Sequence, residues 1–251
     1  MPLSLLTWNL AGYALPYGKN LTRDDKSAMI LAEVRRCYPD ILLVQENSFP
    51  QSFWENIGYK RAGRSAKTHG DGVTEIFYKV SSCKLCQAWN VHALWPLPSA
   101  GPTDIYDFPI ARFQCHDGRE VTVVSVHLAP GTQGVQQRRT QLRLIQQTLK
   151  DVTTPLIVAG DTNMRESETR DACKTLGFDD AFIECGSPDA HKFTWDSFKN
   201  RYYENGINFK ARFDRIFSQD LSVSSFCLVG NIPIHDSYAS DHFGLFCKIE
   251  F

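Results

Sequence analysis

The chain repeatedly sets a short apolar run in front of a polar residue that closes it. Leu3–Leu10 is mostly apolar and carries Asn9 at its end, which predicts a first strand. Ile41–Val44 predicts a second short buried strand that delivers Gln45 and Glu46. Thr74–Lys79 and Cys83–Val91 read as successive strands of a meander. Ile110–Cys115 and Val121–Leu128 predict a hairpin about the His116–Arg119 turn, with Asp117-Gly118 as the turn signal, and its second arm ends at His127. The run Leu156–Ala159 stops at Gly160, expected to turn the backbone, and then presents Asp161 and Asn163. Arg212–Ser218 carries Asp214, and a last strand, Phe243–Ile249, follows Ser240, Asp241 and His242. Short apolar runs bounded by turn residues fit strands that are buried on both faces.

A helical period emerges twice. In Asp25–Cys37, Ile30, Val34 and Cys37 recur at i, i+4 and i+7 behind an acidic N-cap, and Pro39 and Asp40 end the segment. In Gln136–Lys150, Leu142, Ile145 and Leu149 make one stripe, which places Arg138, Arg139 and Arg143 mostly on other faces. Ala93–Asp107 is proline-rich with little periodicity and is expected to be a loop. No repeat, low-complexity tract or linker interrupts the chain, so residues 1–251 are expected to form one domain. The element order predicts an α/β fold of two stacked sheets flanked by helices.

Composition narrows the function. The net charge of -1 gives no global attraction to nucleic acid or membrane, so an anionic substrate needs a local basic patch. No apolar run reaches membrane-spanning length, and the start MPLSLLTWNLAG lacks the pattern of a signal peptide, so a soluble intracellular protein is expected. Cys83 and Cys86 form a lone C-x-x-C with His92 nearby, and no second pair completes a zinc site. The eight cysteines are therefore expected to be reduced thiols.

The polar residues at strand ends carry the chemistry: Asn9, Glu46, His127, Asp161 with Asn163, Asp214, and Asp241 with His242. Each alone has a local explanation. Asn9 suits a turn, Glu46 a solvated terminus, His127 a satisfied core position, and Asp161 with Asn163 an Asx-turn. Asp214 could pair with Arg212 or Arg215, and Asp241 could cap a turn. Gathered at one edge, they would suit hydrolysis: Asp161 can hold or deprotonate a water while Asn163 donates to an anionic oxygen.

The motifs TWNLAG (Thr7–Gly12), QEN (Gln45–Asn47), SVHL (Ser125–Leu128), GDTN (Gly160–Asn163), RFDRIF (Arg212–Phe217) and SDH (Ser240–His242) stand in the order of the endonuclease/exonuclease/phosphatase superfamily, which the chain resembles over nearly its whole length. GDTNMR, FTWD, KARFDRIF and SDHFGLFCKI resemble its 5'-tyrosyl-DNA phosphodiesterase branch. The resemblance implies a four-layer α/β/β/α sandwich of two mainly antiparallel sheets. It implies Glu46 as the direct Mg2+ ligand, with Mn2+ as a substitute, and Asp241 and Asn9 beside the ion. Asp161, helped by Asn163, would orient or deprotonate the attacking water. His242, fixed by Asp214, would bind the scissile phosphate, with His127 donating to the same group. Trp195 and Phe213 would form an apolar wall next to the phosphotyrosyl linkage, Arg112 would stack on Trp195, and Tyr59 would contact the DNA end.

The implied substrates are DNA 5' ends bearing tyrosyl adducts, or RNA–protein adducts, handled in DNA repair by a nuclear or cytoplasmic monomer with no membrane partner. The chain starts at the catalytic core, so no N-terminal partner-binding module is expected. Two positions depart from the family pattern: Ala11 stands where an acid is usual, and Ala129-Pro130 stands where Glu-Ser is usual. Competing expectations are an inositol phosphatase, a deadenylase or an abasic endonuclease of the same superfamily, or a binding module that has lost turnover.

Overall fold

The computed structural model describes residues 2–66, 72–95, 104–203, 206 and 208–251. Its strands, in chain order, are β1 (Leu3–Asn9), β2 (Ile41–Asn47), β3 (Tyr59–Arg64), β4 (Val73–Lys79), β5 (Cys83–Trp95), β6 (Asp104–Cys115), β7 (Glu120–His127), β8 (Leu156–Asp161), β9 (Asp179–Asp180), β10 (Trp195–Asp196), β11 (Lys210–Ala211), β12 (Asp214–Gln219), β13 (Ser222–Val229) and β14 (Gly244–Glu250). The helices are α1 (Arg23–Cys37), α2 (Gln51–Glu55), α3 (Val135–Leu149), α4 (Glu166–Leu176) and α5 (Ala181–Glu184). No described helix is long and apolar enough to cross a membrane.

One six-stranded sheet runs β13-β14-β1-β2-β4-β3, a second runs β5-β6-β7-β8-β12-β9, and β10 and β11 pair separately as a two-stranded ribbon. Only β1–β2 and β7–β8 pair in parallel among the described strands; each pair is joined through a helix, as a parallel connection requires. The side-chain period of two then sorts the apolar runs into layers. Leu5, Leu43, Val123, Ile157, Ala159 and Ile216 point inward and fill the space between the sheets. Their neighbours Leu6, Trp8, Leu42 and Val44 point outward and are covered by Met29, Ile30 and Val34 of α1 and Trp54 of α2. On the other side Val124, Val126 and Val158 lie under Leu142, Ile145 and Leu149 of α3 and Leu176 of α4. The result is a helix–sheet–sheet–helix sandwich, and it explains why these strands are apolar at nearly every position.

Three expectations change. Ala93–Asp107 is not one loop: β5 continues through Trp95 and β6 begins at Asp104, while residues 96–103 lie outside the described residues. Arg138 is buried rather than solvated, because its guanidinium ties α3 to Glu168 of α4 at 2.9 Å and to the carbonyls of Ala129 and Gly131 at 2.7 Å. Gly160 lies inside β8, not at a turn, with φ of 147°. A Cβ there would come within 2.0 Å of the Val126 carbonyl oxygen, so β7 and β8 pair closely only because it has none.

Candidate active site

Along the sandwich the inner face changes from apolar to polar toward one end. Thr7, Gln45 and Ser125 come first, joined by Gln45 donating to Thr7 and Ser125 at 3.2 Å. One step further the ends of β1, β7 and β8 and the start of β12 place Asn9, His127, Asp161 and Asp214 on that same inner face. The pairing register puts His127, Asp161 and Asp214 side by side across three strands.

Glu46 reaches the group by a different route. Regular alternation would turn it outward with Leu42 and Val44. The β2–β4 register instead slips between Val44 and Asn47, and Glu46 takes a left-handed φ of 48°. Such a bulge re-aims a side chain, and Glu46 Oε1 accepts a hydrogen bond from Asn9 Nδ2 at 3.0 Å. Gly72 allows the bulge to close: a Cβ there would lie 2.2 Å from the Glu46 carbonyl carbon.

Asn9 joins the two sheets. Its Nδ2 also donates to Asp161 Oδ2 at 3.0 Å, and its Oδ1 accepts from the Ala11 amide at 2.9 Å. Asp161 is thereby central. Its Oδ2 lies 3.6 Å from His127 Nε2 and 3.7 Å from His242 Nε2, and its Oδ1 accepts the Asn163 amide at 2.9 Å. That last contact is the Asx-turn of the local reading, present together with the functional arrangement. Asn163, at φ of 51°, donates its side-chain amide to the Leu128 carbonyl at 3.1 Å.

The segment Ser240–His242 is held from three sides. Ser240 Oγ donates to the Asn9 carbonyl at 2.6 Å, Asn200 Nδ2 to the Ser240 carbonyl at 2.7 Å, and Trp8 Nε1 to the His242 carbonyl at 2.9 Å. His242 Nδ1 donates to Asp214 Oδ2 at 2.8 Å, leaving Nε2 directed toward Asp161. Burial alone would strip the imidazole of its proton. The charges of Asp214, Asp161 and Asp241 outweigh it and hold His242 well above its ordinary pKa. Asp241 is pushed the other way in charge: burial first, then the nearby Glu46 and Asp161 carboxylates against the opposing His242, raises its carboxyl to about 6.

That raised carboxyl tests the fit of a metal. Glu46, Asp161 and Asp241 are hard oxygen donors, and the first two lie near enough to help raise the carboxyl of the third. This is what a hard divalent cation would relieve. Glu46 has its side chain 30% exposed, and its Oε1 accepts from Asn9 Nδ2 and lies 3.9 Å from His127 Nε2. Asp161, Asp214 and His242 also bring ligand atoms within 4.8 Å of one another. With His242 held above its ordinary pKa and its Nδ1 donating to Asp214, those three read better as a proton-holding group.

The flank of the site is aromatic. The Trp195 ring lies edge-on to His242 with centroids 5.0 Å apart, stacks on Phe209 at 5.9 Å and meets Phe213 at 6.1 Å. The cation over this wall is Arg165, whose guanidinium sits 5.0 Å from the Phe213 centroid and 5.6 Å from that of Phe209. Arg112, expected in that role, is elsewhere. It pairs with Thr122, five residues before His127 on β7, which is about 16 Å along a strand; its Nε lies 3.9 Å from Glu120. Tyr59 is likewise not a surface contact: it is buried, and its hydroxyl donates to the Pro39 carbonyl at 2.7 Å.

Three further groups escaped the sequence reading. Arg165 was visible as the last letter of GDTNMR. Phe209 carried no signal. Lys26 is 2% exposed and donates to the carbonyls of Gly12 and Ala14 at 3.0 and 2.8 Å, clamping the loop that follows Asn9. Burial lowers its pKa to about 8 against the opposing pull of Asp241 and Glu46. Beyond Asn47 and Gly72 a groove of about 500 Å³ opens, lined by Tyr13, Phe49, Arg61 and Arg64. Buried Glu75 anchors both arginines, with Arg61 Nη1 at 3.1 Å and Arg64 Nε at 3.5 Å.

The model of the endonuclease/exonuclease/phosphatase family matches residues 6–242, from the second half of β1 through His242. The chain belongs to that family. Members of the endonuclease/exonuclease/phosphatase family are generally dependent on a divalent metal, and this chain is a hydrolase of the family. It is 25% identical to tyrosyl-DNA phosphodiesterase 2 of Bos taurus over 98% of its own length and 67% of that protein's. With the Danio rerio protein of the same name it shares 29% identity over 52% of its length and 38% of the relative's. In three dimensions it matches Danio rerio TDP2 in complex with a single-strand DNA product, with a TM-score of 0.78 at 22% identity, covering 100% of this chain and 99% of the other. The human Nocturnin catalytic domain with a bound sulfate matches at a TM-score of 0.76 and 21% identity, over 100% and 94% of the two chains. At these identities the structural likenesses establish the sandwich fold.

Proposed function

We propose that the chain is a Mg2+-dependent phosphodiesterase that releases tyrosyl adducts from the 5' ends of DNA, or of RNA carrying protein. The observation that carries this reading is the aromatic wall of Trp195, Phe209 and Phe213, packed against His242 on one side and capped by Arg165 on the other. An aromatic wall with a cation beside the phosphate-binding end suits a phenolate leaving group, which is aromatic and becomes negatively charged as the bond breaks. The similarity to tyrosyl-DNA phosphodiesterase 2 of Bos taurus, over 98% of this chain and 67% of that protein, supports the same substrate class. The converged acid, amide and histidine groups argue against a module that has lost turnover.

In this mechanism Asp161 accepts a proton from the attacking water, with Asn9 and the Asn163 amide fixing its two oxygens. His242, kept protonated by Asp214, donates from Nε2 to a phosphate oxygen, and His127 Nε2 donates from the neighbouring strand end. Glu46 and Asp241 would hold Mg2+, which supplies charge neutralisation at the phosphate. Arg165 and Trp195 position the departing tyrosinate.

The test compares two substrates. Trp195→Ala and Arg165→Ala are expected to lower kcat/KM on a 5'-phosphotyrosyl oligonucleotide by ~1–3 kcal/mol, roughly 5- to 150-fold. A small aliphatic phosphodiester, which brings no phenol to the wall, should lose little. Equal losses on both would assign the wall to phosphate binding or to folding, and the tyrosyl reading would be withdrawn.

A further inference from the structure

Cys83 opens β5 and Cys115 closes β6, and the two face each other directly in the antiparallel register. The backbone of Cys115 is committed to the other side: its amide donates to the Arg119 carbonyl at 2.8 Å, and its carbonyl accepts from the Gly118 amide at 2.9 Å. Since both groups point away from β5, Cys83 and Cys115 form a non-hydrogen-bonded pair. In such pairs the Cα atoms are ~4.5 Å apart and the side chains approach most closely. Disulfides span Cα separations of ~4.4–6.8 Å. The register therefore places the pair within reach of a disulfide.

The two thiols are also unequal. Cys83 is buried in the core between the sheets, while Cys115 is half-buried. The neighbouring Cys83 thiol is the main cause that holds the Cys115 thiol below its ordinary pKa, with Arg119 assisting. Cys86, the nearer partner in sequence, is exposed at the bulge between Leu85 and Gln87, apart from the buried Cys83. All eight cysteines are free in the structure.

We propose that Cys83 and Cys115 are a redox modification site, forming a reversible cross-strand disulfide by exchange with a small-molecule disulfide. The Cys115 thiolate attacks one sulfur of the reagent; that S–S bond breaks, and half of the reagent leaves as a thiolate. Cys83 then attacks Sγ of Cys115, its proton passes to the second departing thiolate, and the protein S–S bond forms. Two protein thiols are oxidised and one reagent disulfide is reduced to two thiols, so electrons and protons balance. The proposal is independent of the substrate reading above, because the pair lies at the start of β7, about 23 Å along that strand from His127.

The full-length chain is incubated with oxidised glutathione, quenched with acid, alkylated and digested without reductant. Mass spectrometry should find a Cys83–Cys115 cross-linked peptide that dithiothreitol removes. Cys83→Ser should instead leave glutathione on Cys115, and the surface variant Cys86→Ser should form the cross-link as well as the parent does. A Cys83–Cys86 bond, loss of the link in Cys86→Ser, or glutathione on Cys86 with no protein disulfide would each overturn the proposal. Should Cys83→Ser fold poorly, Cys86→Ser and the parent chain still decide it.

Discussion

Asp161 receives hydrogen bonds on both oxygens, from Asn9 Nδ2 and from the Asn163 amide, and this shapes what its replacement does. Asp161→Asn removes the base but also turns one acceptor into a donor facing a donor. Turnover should drop ~10^2–10^4-fold. Stability should drop as well, by ~1–3 kcal/mol, since a buried polar contact is left unmade; kinetics and urea unfolding on the same preparation separate the two. For Glu46→Gln the expected signature is a higher Mg2+ concentration at half-maximal rate, with EDTA silencing the parent enzyme. An unchanged metal dependence would move the principal ligand to another residue. At this scale much of the site was legible: the polar closers of apolar runs, from Asn9 to His242, did converge. What the runs could not convey was direction. Glu46 enters the site only through a bulge and a left-handed backbone. Arg112 matched a family role by its place in the sequence and lies at the far end of its sheet, while Arg165 holds the aromatic wall.

Helices α3 and α4 are locked by one buried ion pair, Arg138 with Glu168, at 2.9 Å on both oxygens. Burial would raise the Glu168 carboxyl, but the Arg138 hydrogen bonds, with the Arg165 amide, outweigh it and hold the pKa below its ordinary value of 4.5. The sign follows from linkage. A carboxyl whose pKa is depressed in the folded state stabilises the fold fully above its unfolded value, and that contribution is lost as pH falls through the depressed one. Stability should therefore be flat in this respect above about pH 5 and fall on the acid side, read by urea midpoints across pH. Glu168→Gln should cost ~3–5 kcal/mol at neutral pH by leaving a guanidinium charge buried, and it should flatten the acid limb. A wild-type midpoint in this variant would place the helix pair's strength elsewhere. Neither α4 nor β13 was expected from sequence. The α4 sequence ESETRDACKTL has few apolar residues, and its docking rests on this ion pair more than on a stripe. In β13, SVSSFCLV, a register shift between Val223 and Ser225 interrupts the alternation that marks a half-buried strand.

Across the whole molecule the basic residues near the site are few and anchored, in keeping with the net charge of -1. Arg61 and Arg64 face the groove next to Glu46 from a buried Glu75. If a nucleic-acid strand follows that groove, Arg64→Glu should weaken binding of a single-stranded oligonucleotide and reduce the salt dependence of its affinity, by about one to two counterions for the reversed charge. Turnover of a small phosphodiester should be unchanged, and an unaltered salt slope would route the strand elsewhere. The sandwich itself was legible because both faces of its strands are buried. The order of its strands was not, since nothing local tells β1 that its neighbours are β2 and β14. That neighbourhood has a consequence for the life of the chain before it is an enzyme. Leu3 pairs with Ile249, so β1 has no partner on that side until the residues of β14 have left the ribosome. Asp241 and His242 lie just ahead of that strand. The second sheet can assemble from contiguous chain while translation continues, but the catalytic end cannot close until β1 meets β14. A nascent chain therefore carries β1 as an open, apolar edge while the residues between the two strands are made, and gains hydrolytic competence only once β14 is available.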